Sequence, residues 1–421
     1  MGERPVRDFS IQVIQRLRES GFEALWAGGC VRDFLLGRTP KDYDVATNAT
    51  PTQVLKLATR HGIHAIPIGV AFGVVALVDP NSHETVEVAT FRQDASYRDG
   101  RHPDSVRFTT AEGDAQRRDF TINGLFRDPI AKRTLDYVGG VQDLESRLLR
   151  AIGDPVERFT EDKLRMLRAV RFATTLGFQI EPRTFAAICA MSPQIGEISQ
   201  ERIAAEMERI LTDPRRNEGV VLLSQTGLGD AILPEFFHEL PQNDARFSRV
   251  LLRFNRFAPR DFGGTLATLG YGYLSPKQMD TVGRRWKLPN VVRERAVWVL
   301  RQIETLDEIA AKYSTLQPVL DHPSASVLVS LRQSLGAAGE RPTEIPPKIT
   351  EMMAWPQERL HPKPLLTGNM LIAAGIQPGA VYRTVLNAAF AAQVDGEITT
   401  ERESLQFALA YMAQWGENDA G

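Results

Sequence analysis

Asp42 and Asp44 stand two apart at the end of the stretch Gly28 to Asp44, which reads GGCVRDFLLGRTPKDYD. In a strand, residues two apart project to one side, so both carboxylates face one way while Tyr43 and Val45 face the other. Carboxylates paired in this way suit a hard cation such as Mg2+, which takes oxygen ligands and fills its shell with water and substrate phosphates. Two-metal sites of this kind stabilise both the attacking and the leaving oxygen in nucleotidyl transfer. Such chemistry also needs a grip on phosphate. Gly28 and Gly29 follow the apolar run Ala24 to Ala27 and precede Val31 to Leu36, which reads as a short helix. Glycine there lets backbone N–H groups approach an anion, the helix start adds donors, and Arg32 can fork onto phosphate oxygens.

Further along, Glu87 sits between Val86 and Val88 and either faces solvent or supplies a third catalytic carboxylate. Arg117, Arg118 and Asp119 lead into the apolar segment Phe120 to Gly124. Asp162 and Arg165 are three apart, which makes them neighbours on one helical face. The plain reading is a solvent-exposed ion pair. The sharper one is that a carboxylate only accepts and a guanidinium only donates, matching the pairing edges of cytosine and adenine but not those of uracil and guanine. Arg168 falls within reach of such a nucleotide, whereas Arg171 is turned far round from Asp162.

These groups must be held by a scaffold. The 421 residues, with a net charge of -2 and 43% hydrophobic content, describe an ordinary globular chain of two to four domains. That charge balance argues against a protein that coats nucleic acid indiscriminately, while clustered arginines can still make a local basic face. The apolar positions Phe9, Val13, Ile14 and Leu17 before Gly21 predict a helix over 8–20. Thr50-Pro51-Thr52-Gln53 predicts a capping box and a helix from Pro51 to about Arg60. Gly73 to Val78 and Glu84 to Phe91 predict a hairpin, and Gln93 to Phe108 a loop. Strand signals stop at Leu144, with Leu148 to Ile152 as the junction. Phe159 to Leu176 then reads as one helix, followed by Ile203 to Leu211 and Val291 to Ile309. Near the C-terminus, Leu365 to Ile372 and a segment from Val381 read as helices flanking a Gly-Pro-Gly turn. The expectation is an α/β head followed by an all-helical body. The charged N-terminus, the absence of a long apolar run and the two cysteines, Cys30 and Cys189, point to a cytoplasmic protein with no membrane span and no disulfide framework.

Four stretches in order, GGCVRD with DYD, RRDFTINGL, EDKLRMLRAVRF and SQERIAAEMERIL, resemble the class II tRNA nucleotidyltransferases, or CCA-adding enzymes, and the related bacterial poly(A) polymerases. The likeness runs from Gly21 to about Leu211 and continues loosely in PLLTGNMLIAAGIQPG. It implies an α+β fold of sea-horse shape, with a polymerase-β-like nucleotidyltransferase head over 1–148 and an all-helical neck over 149–215, body over 216–345 and tRNA-binding tail over 346–421. The implied reaction is template-independent addition of CCA to the 3′ end of tRNA from CTP and ATP, with Mg2+ and release of pyrophosphate. By position, metal ligands are Asp42 and Asp44. Nucleotide contacts are Gly28, Gly29, Arg32, Arg118, Asp119, Asp162 and Arg165, supported by Arg168 and Arg171. The segment 93–108 corresponds to the family's flexible loop. Two positions depart from the usual pattern: Gly124, where alanine is usual, and His102, where a second arginine is usual.

A poly(A) polymerase and an enzyme adding only part of CCA share the head motifs. Ile68 to Val75 lacks the basic run associated with poly(A) polymerases, which favours CCA addition. From a different class, a tRNA-binding protein without activity would keep the same fold. No obligate protein partner is implied, and Arg284, Arg285 and Lys287 are candidates for gripping the tRNA body because they cluster.

Overall fold

The computed structural model describes residues 5–94, 106–308, 312–376, 379 and 381–418. The chain divides into two compact units, Met1–His238 and Glu239–Gly421. The first begins with α1 (Pro5–Glu19), which gives way to Gly21 at a φ of 84° as its glycine signal predicts. There follow β1 (Ala24–Ala27), α2 (Gly29–Leu35), β2 (Val45–Thr47), α3 (Pro51–Arg60), β3 (His64–Gly69), β4 (Val74–Val78) and β5 (Thr85–Thr90). The capping box at Thr50 and Gln53 is present, with Pro51 opening α3. The short strands β6 (Arg92–Asp94) and β7 (Val106–Phe108) pair antiparallel at the base of the loop expected over 93–108, of which 95–105, with His102, lies outside the described residues. α4 (Ala111–Gln116), β8 (Phe126–Asp128) and β9 (Arg133–Leu135) complete the head.

Among the described residues, seven strands form one mixed sheet in the order β3-β4-β5-β2-β1-β8-β9. The hairpin of β4 and β5 pairs Val74 with Ala89 through Val78 with Thr85, as the alternating valines predict. The parallel pairing of β2 with β5 sets Val45 opposite Val88. This register puts the end of the Asp42 to Asp44 segment beside the strand that carries Glu87. β1 is buried along its whole length because both faces are covered. Leu25 and Ala27 join Ala46, Phe91 and Phe126 under Ala111 and Ala115 of α4. On the other face Trp26 packs 4.9 Å from the Tyr43 ring and donates to Ser10 Oγ of α1 at 2.9 Å. A buried indole with its N–H satisfied fixes the strand that leads into Gly28.

The sequence signals fall short in three places. β3 was not marked by alternation, since His64 to Gly69 is largely exposed on both faces at the sheet edge. β8 and β9 are three residues each, too short for a periodic signal. Strands also do not end at Leu144: α5 (Gly140–Glu145) is followed by β10 (Leu148–Leu149), which pairs parallel with β11 (Gln179–Ile180). Between them lie α6 (Pro155–Glu161) and α7 (Leu164–Leu176), and α8 (Pro182–Met191) and α9 (Gln200–Leu211) follow. The second unit is helical in every described element, including Asn290–Gln302 and Val381–Val394. No helix of the described residues is long and apolar enough to cross a membrane.

Candidate active site

Asp42 and Asp44 do not lie in a strand. β2 begins at Val45, and the two aspartates occupy the extended segment before it, anchored where Ala27 N–H donates to Asp44 O at 3.0 Å. The alternation nonetheless survives, with Tyr43 buried and both carboxylates exposed. They line a cleft of about 710 Å3 together with Gly29, Arg32, Arg171, Phe172 and Arg209. The cleft thus joins the β1–α2–β2 segment of the head to α7 and α9.

Gly28 holds φ at 72°, a region that favours glycine, and a side chain there would come within 2.7 Å of the Arg118 guanidinium. Its glycine is favoured by conformation, and a side chain there would also displace the Arg118 guanidinium. Arg32 donates to Asn123 Oδ1 at 2.7 Å and to Asp33 Oδ1 at 2.9 Å. Arg118 forks onto Asp114 Oδ2 at 3.1 and 2.9 Å and lies over the Phe126 ring. Asp114 is 1% exposed and also holds Arg117 at 2.8 Å and the Arg92 N–H. Burial pushes its pKa up, but Arg118 and Arg117 outweigh that and hold it below the usual carboxylate range. Neither Asn123 nor Asp114 was singled out from sequence; their signal was only proximity to the Arg-Arg pair.

The Asp44 carboxyl is pushed up to about 6 by desolvation in the cleft and by the negative charges of Glu87 and Asp42, with Arg118 pulling the other way. Carboxylates that repel one another in this manner fit a divalent cation, which relieves the repulsion. Among the described residues no three His, Cys, Asp or Glu side chains are grouped to hold a metal. Asp42 and Asp44 would therefore share an ion with substrate oxygens and water. Glu87 bears on Asp44 through its charge. Cys30, buried beside Asp44, has its thiol pushed up to about 12 by burial and is a packing residue.

The helix expected over 159–176 is broken. Asp162 is extended, with φ at -147° and ψ at 104°, and its Oδ1 accepts from Leu164 N–H at 3.0 Å in the manner of a helix cap. Asp162 and Arg165 stay joined by the Arg165 N–H bond to Asp162 O at 3.0 Å, but they do not share a continuous helix and their side chains pair with other residues. Asp162 Oδ2 accepts from Arg202 of α9 at 2.8 Å. Arg165 is 8% exposed and donates to Glu161 at 2.5 Å and to the Arg158 and Arg117 carbonyls. The strong local competition of an aspartate carboxylate for nearby backbone N–H groups explains the break.

Arg171, on the unbroken α7, lines the cleft with Asp42 and Asp44. Its Nε donates to buried Glu206, and its guanidinium lies 3.8 Å from the Phe172 ring centroid. Arg32 and Arg168 approach the same ring at 5.2 and 5.3 Å. Arg168 forks onto Asp119 Oδ2 at 3.0 and 2.7 Å, fastening α7 to the head. Burial pushes the Asp119 carboxyl up, yet the Arg168 charge and the Asn123 and Arg168 hydrogen bonds bring it down to about 2.

Because that value lies below the ordinary 3.8, Asp119 stabilises the fold at neutral pH. Its contribution, about 2 kcal/mol, is complete above about pH 4 and is lost as the pH falls toward 2. Asp119→Asn is expected to be less stable at neutral pH and to lose this step. Urea denaturation of the variant and the parent across that range checks it; parallel curves would show that Asp119 carries no such linkage.

A mixed sheet with two aspartates at the entry to a central strand, a glycine turn and arginines converging on one cleft define a polymerase-β-like nucleotidyltransferase head joined to helices. A model of the poly A polymerase head domain matches residues 24–150, and one described as the probable RNA and SrmB-binding site of polymerase A matches 177–240. The CCA-adding enzyme of Geobacillus thermodenitrificans is 33% identical over 412 residues, covering 96% of both chains. That of Geobacillus stearothermophilus is 36% identical over 298 residues, or 70% of each. The crystal structure of the Bacillus stearothermophilus CCA-adding enzyme in complex with CTP superposes with a TM-score of 0.77 at 27% identity, covering 99% of this chain and all of that one. The chain belongs to the class II tRNA nucleotidyltransferase family of CCA-adding enzymes and bacterial poly(A) polymerases.

Proposed function

We propose that this enzyme adds C, C and A to the 3′ end of tRNA from CTP and ATP, without a template and with release of pyrophosphate. The observation that carries the reading is the likeness to CCA-adding enzymes along 96% of both chains. It is supported by the cleft, which gathers Asp42, Asp44, Gly29, Arg32 and Arg171.

Asp42 and Asp44 would hold Mg2+, with Glu87 reinforcing their negative field. Bound Mg2+ would supply Lewis acidity, lowering the pKa of the RNA 3′-hydroxyl and neutralising charge on the leaving pyrophosphate. The chain's own part is positioning. Gly28 and Gly29 allow backbone donors close to the triphosphate, and Arg32 and Arg118, pre-aimed by Asn123 and Asp114, bind its oxygens. The Asp119–Arg168 pair sets the ribose end of the nucleotide against α7. Asp162 and Arg165 read the pairing edge of C and A; a carboxylate and a guanidinium keep bonding capacity beyond the contacts to Arg202 and Glu161. The helices beyond residue 215, in a body and a tRNA-binding tail, grip the tRNA. Such substrates belong in the cytoplasm, and the free thiols Cys30 and Cys189 fit a reducing compartment.

The test is incorporation of labelled CTP and ATP, supplied separately and together, on tRNA ending before CCA, after C and after CC. Sequential addition that stops at A is expected. A ladder of A with CTP ignored would make the chain a poly(A) polymerase, and a stop after CC or a requirement for a CC end would make it a partial enzyme.

A further inference from the structure

Five cations line the cleft that holds Asp42 and Asp44: Arg32, Arg38, Lys41, Arg171 and Arg209. Three of them are committed to protein carboxylates. Arg32 is paired with Asp33 at 2.9 Å, and Arg171 and Arg209 are both paired with the buried Glu206. Arg38 and Lys41 form no hydrogen bond or ion pair with any described side chain, although Asp33 and Asp42 are close in sequence.

Their position is built by the backbone. α2 ends at Gly37, whose φ of 68° turns the chain, and the Arg38 N–H returns to Asp33 O at 2.9 Å. Residues 38–41 then run back along the cleft toward Asp42. A seven-residue helix is about 10 Å long. Gly29 therefore marks one end of α2, and Arg38 and Lys41 follow the other. The same cleft is lined by Thr212, Asp213 and Pro214, which follow α9.

Nucleotide addition brings two polyanions to one pair of carboxylates, the incoming triphosphate and the RNA strand whose 3′-hydroxyl attacks. The triphosphate has its own pre-aimed arginines. The strand needs cations that are near the carboxylates and not already neutralised. We infer that Arg38 and Lys41 bind the terminal phosphodiesters of the tRNA strand and hold its 3′ end in the cleft. This rests on the proposed reaction for the identity of the strand, though a polynucleotide of any sequence presents the same phosphodiesters. Both side chains are exposed, so a flexible cation pair can follow the backbone as the end lengthens by successive residues.

The experiment is steady-state kinetics of Arg38→Gln, Lys41→Gln and the double variant, with tRNA and CTP varied separately at several salt concentrations. The double variant is expected to raise KM for tRNA about 10-fold or more while KM for CTP stays within about twofold, and to reduce the salt slope of tRNA binding by about 1.4. Arg38→Lys with Lys41→Arg should restore most of the loss. A rise in KM for CTP with that for tRNA unchanged would assign the pair to the triphosphate and overturn the inference. So would no change in either, which would leave them as solvated surface. If the parent enzyme instead elongates RNA with A alone, the proposed reaction fails, while the effect of the variants on RNA KM still decides the role of Arg38 and Lys41.

Discussion

Asp42→Ala and Asp44→Ala are each expected to lower nucleotide addition at least about a thousandfold while tRNA and CTP still bind. The two carboxylates sit at the entry to β2, held there by the Ala27 N–H bond to Asp44 O and by buried Tyr43. Neither supports the core, so the loss should leave the fold intact. Desolvation, followed by the charges of Glu87 and Asp42, raises the Asp44 carboxyl to about 6, a setting that suits a bound cation. Removing either ligand leaves one carboxylate to hold the ion and to set the distance between hydroxyl and α-phosphate. Single-turnover addition of labelled CTP to tRNA ending before CCA, with filter binding of the same tRNA, measures both quantities. Retention of addition within about tenfold would mean that the metal is held elsewhere. Unaltered biological function without addition would favour a binding protein that has lost catalysis.

Asp114→Ala should have the largest effect on stability, lowering the unfolding free energy by about 3 kcal/mol. Its carboxylate is buried at 1% exposure and receives both Arg117 and Arg118. Deleting it takes from two partly buried guanidinium groups the carboxylate they share, which costs more than the pair itself contributes. Arg118 would also lose its hold beside Gly28, so KM for CTP should rise along with the loss of stability. Asp114→Asn keeps the shape and removes the charge, and it should fall between the two. Urea denaturation and CTP titration check the pair of effects. A change in stability under about 1 kcal/mol for the alanine variant would show that the arginines find other partners.

The gathering of Gly29, Arg32, Asp42 and Asp44 in one cleft was legible because these residues are close in sequence. Gly28, Gly29, Arg32, Asp42 and Asp44 lie within one short stretch, and the turn that brings them together needs only glycine and a short helix. The capping box of α3 and the valine hairpin were legible for the same reason, since each depends on neighbours in sequence. The strands β3, β8 and β9 were not, because an exposed edge strand and three-residue strands carry no alternation to detect. Asp114, Asn123 and Glu206 escaped notice because a buried orienting carboxylate or amide looks like any other polar residue until its partners converge on it.

By itself the sequence determined the order of the motifs and the α/β head before a helical remainder, and it marked the groups proposed here to touch phosphate and metal. Only the tertiary structure decided which arginines stand in the cleft. The Asp162 carboxylate accepts from the Leu164 N–H at the break between α6 and α7, Arg171 lines the cleft, and Arg165 pairs with Glu161. A helical wheel assumes an unbroken helix, and one backbone hydrogen bond to a side chain is enough to invalidate it.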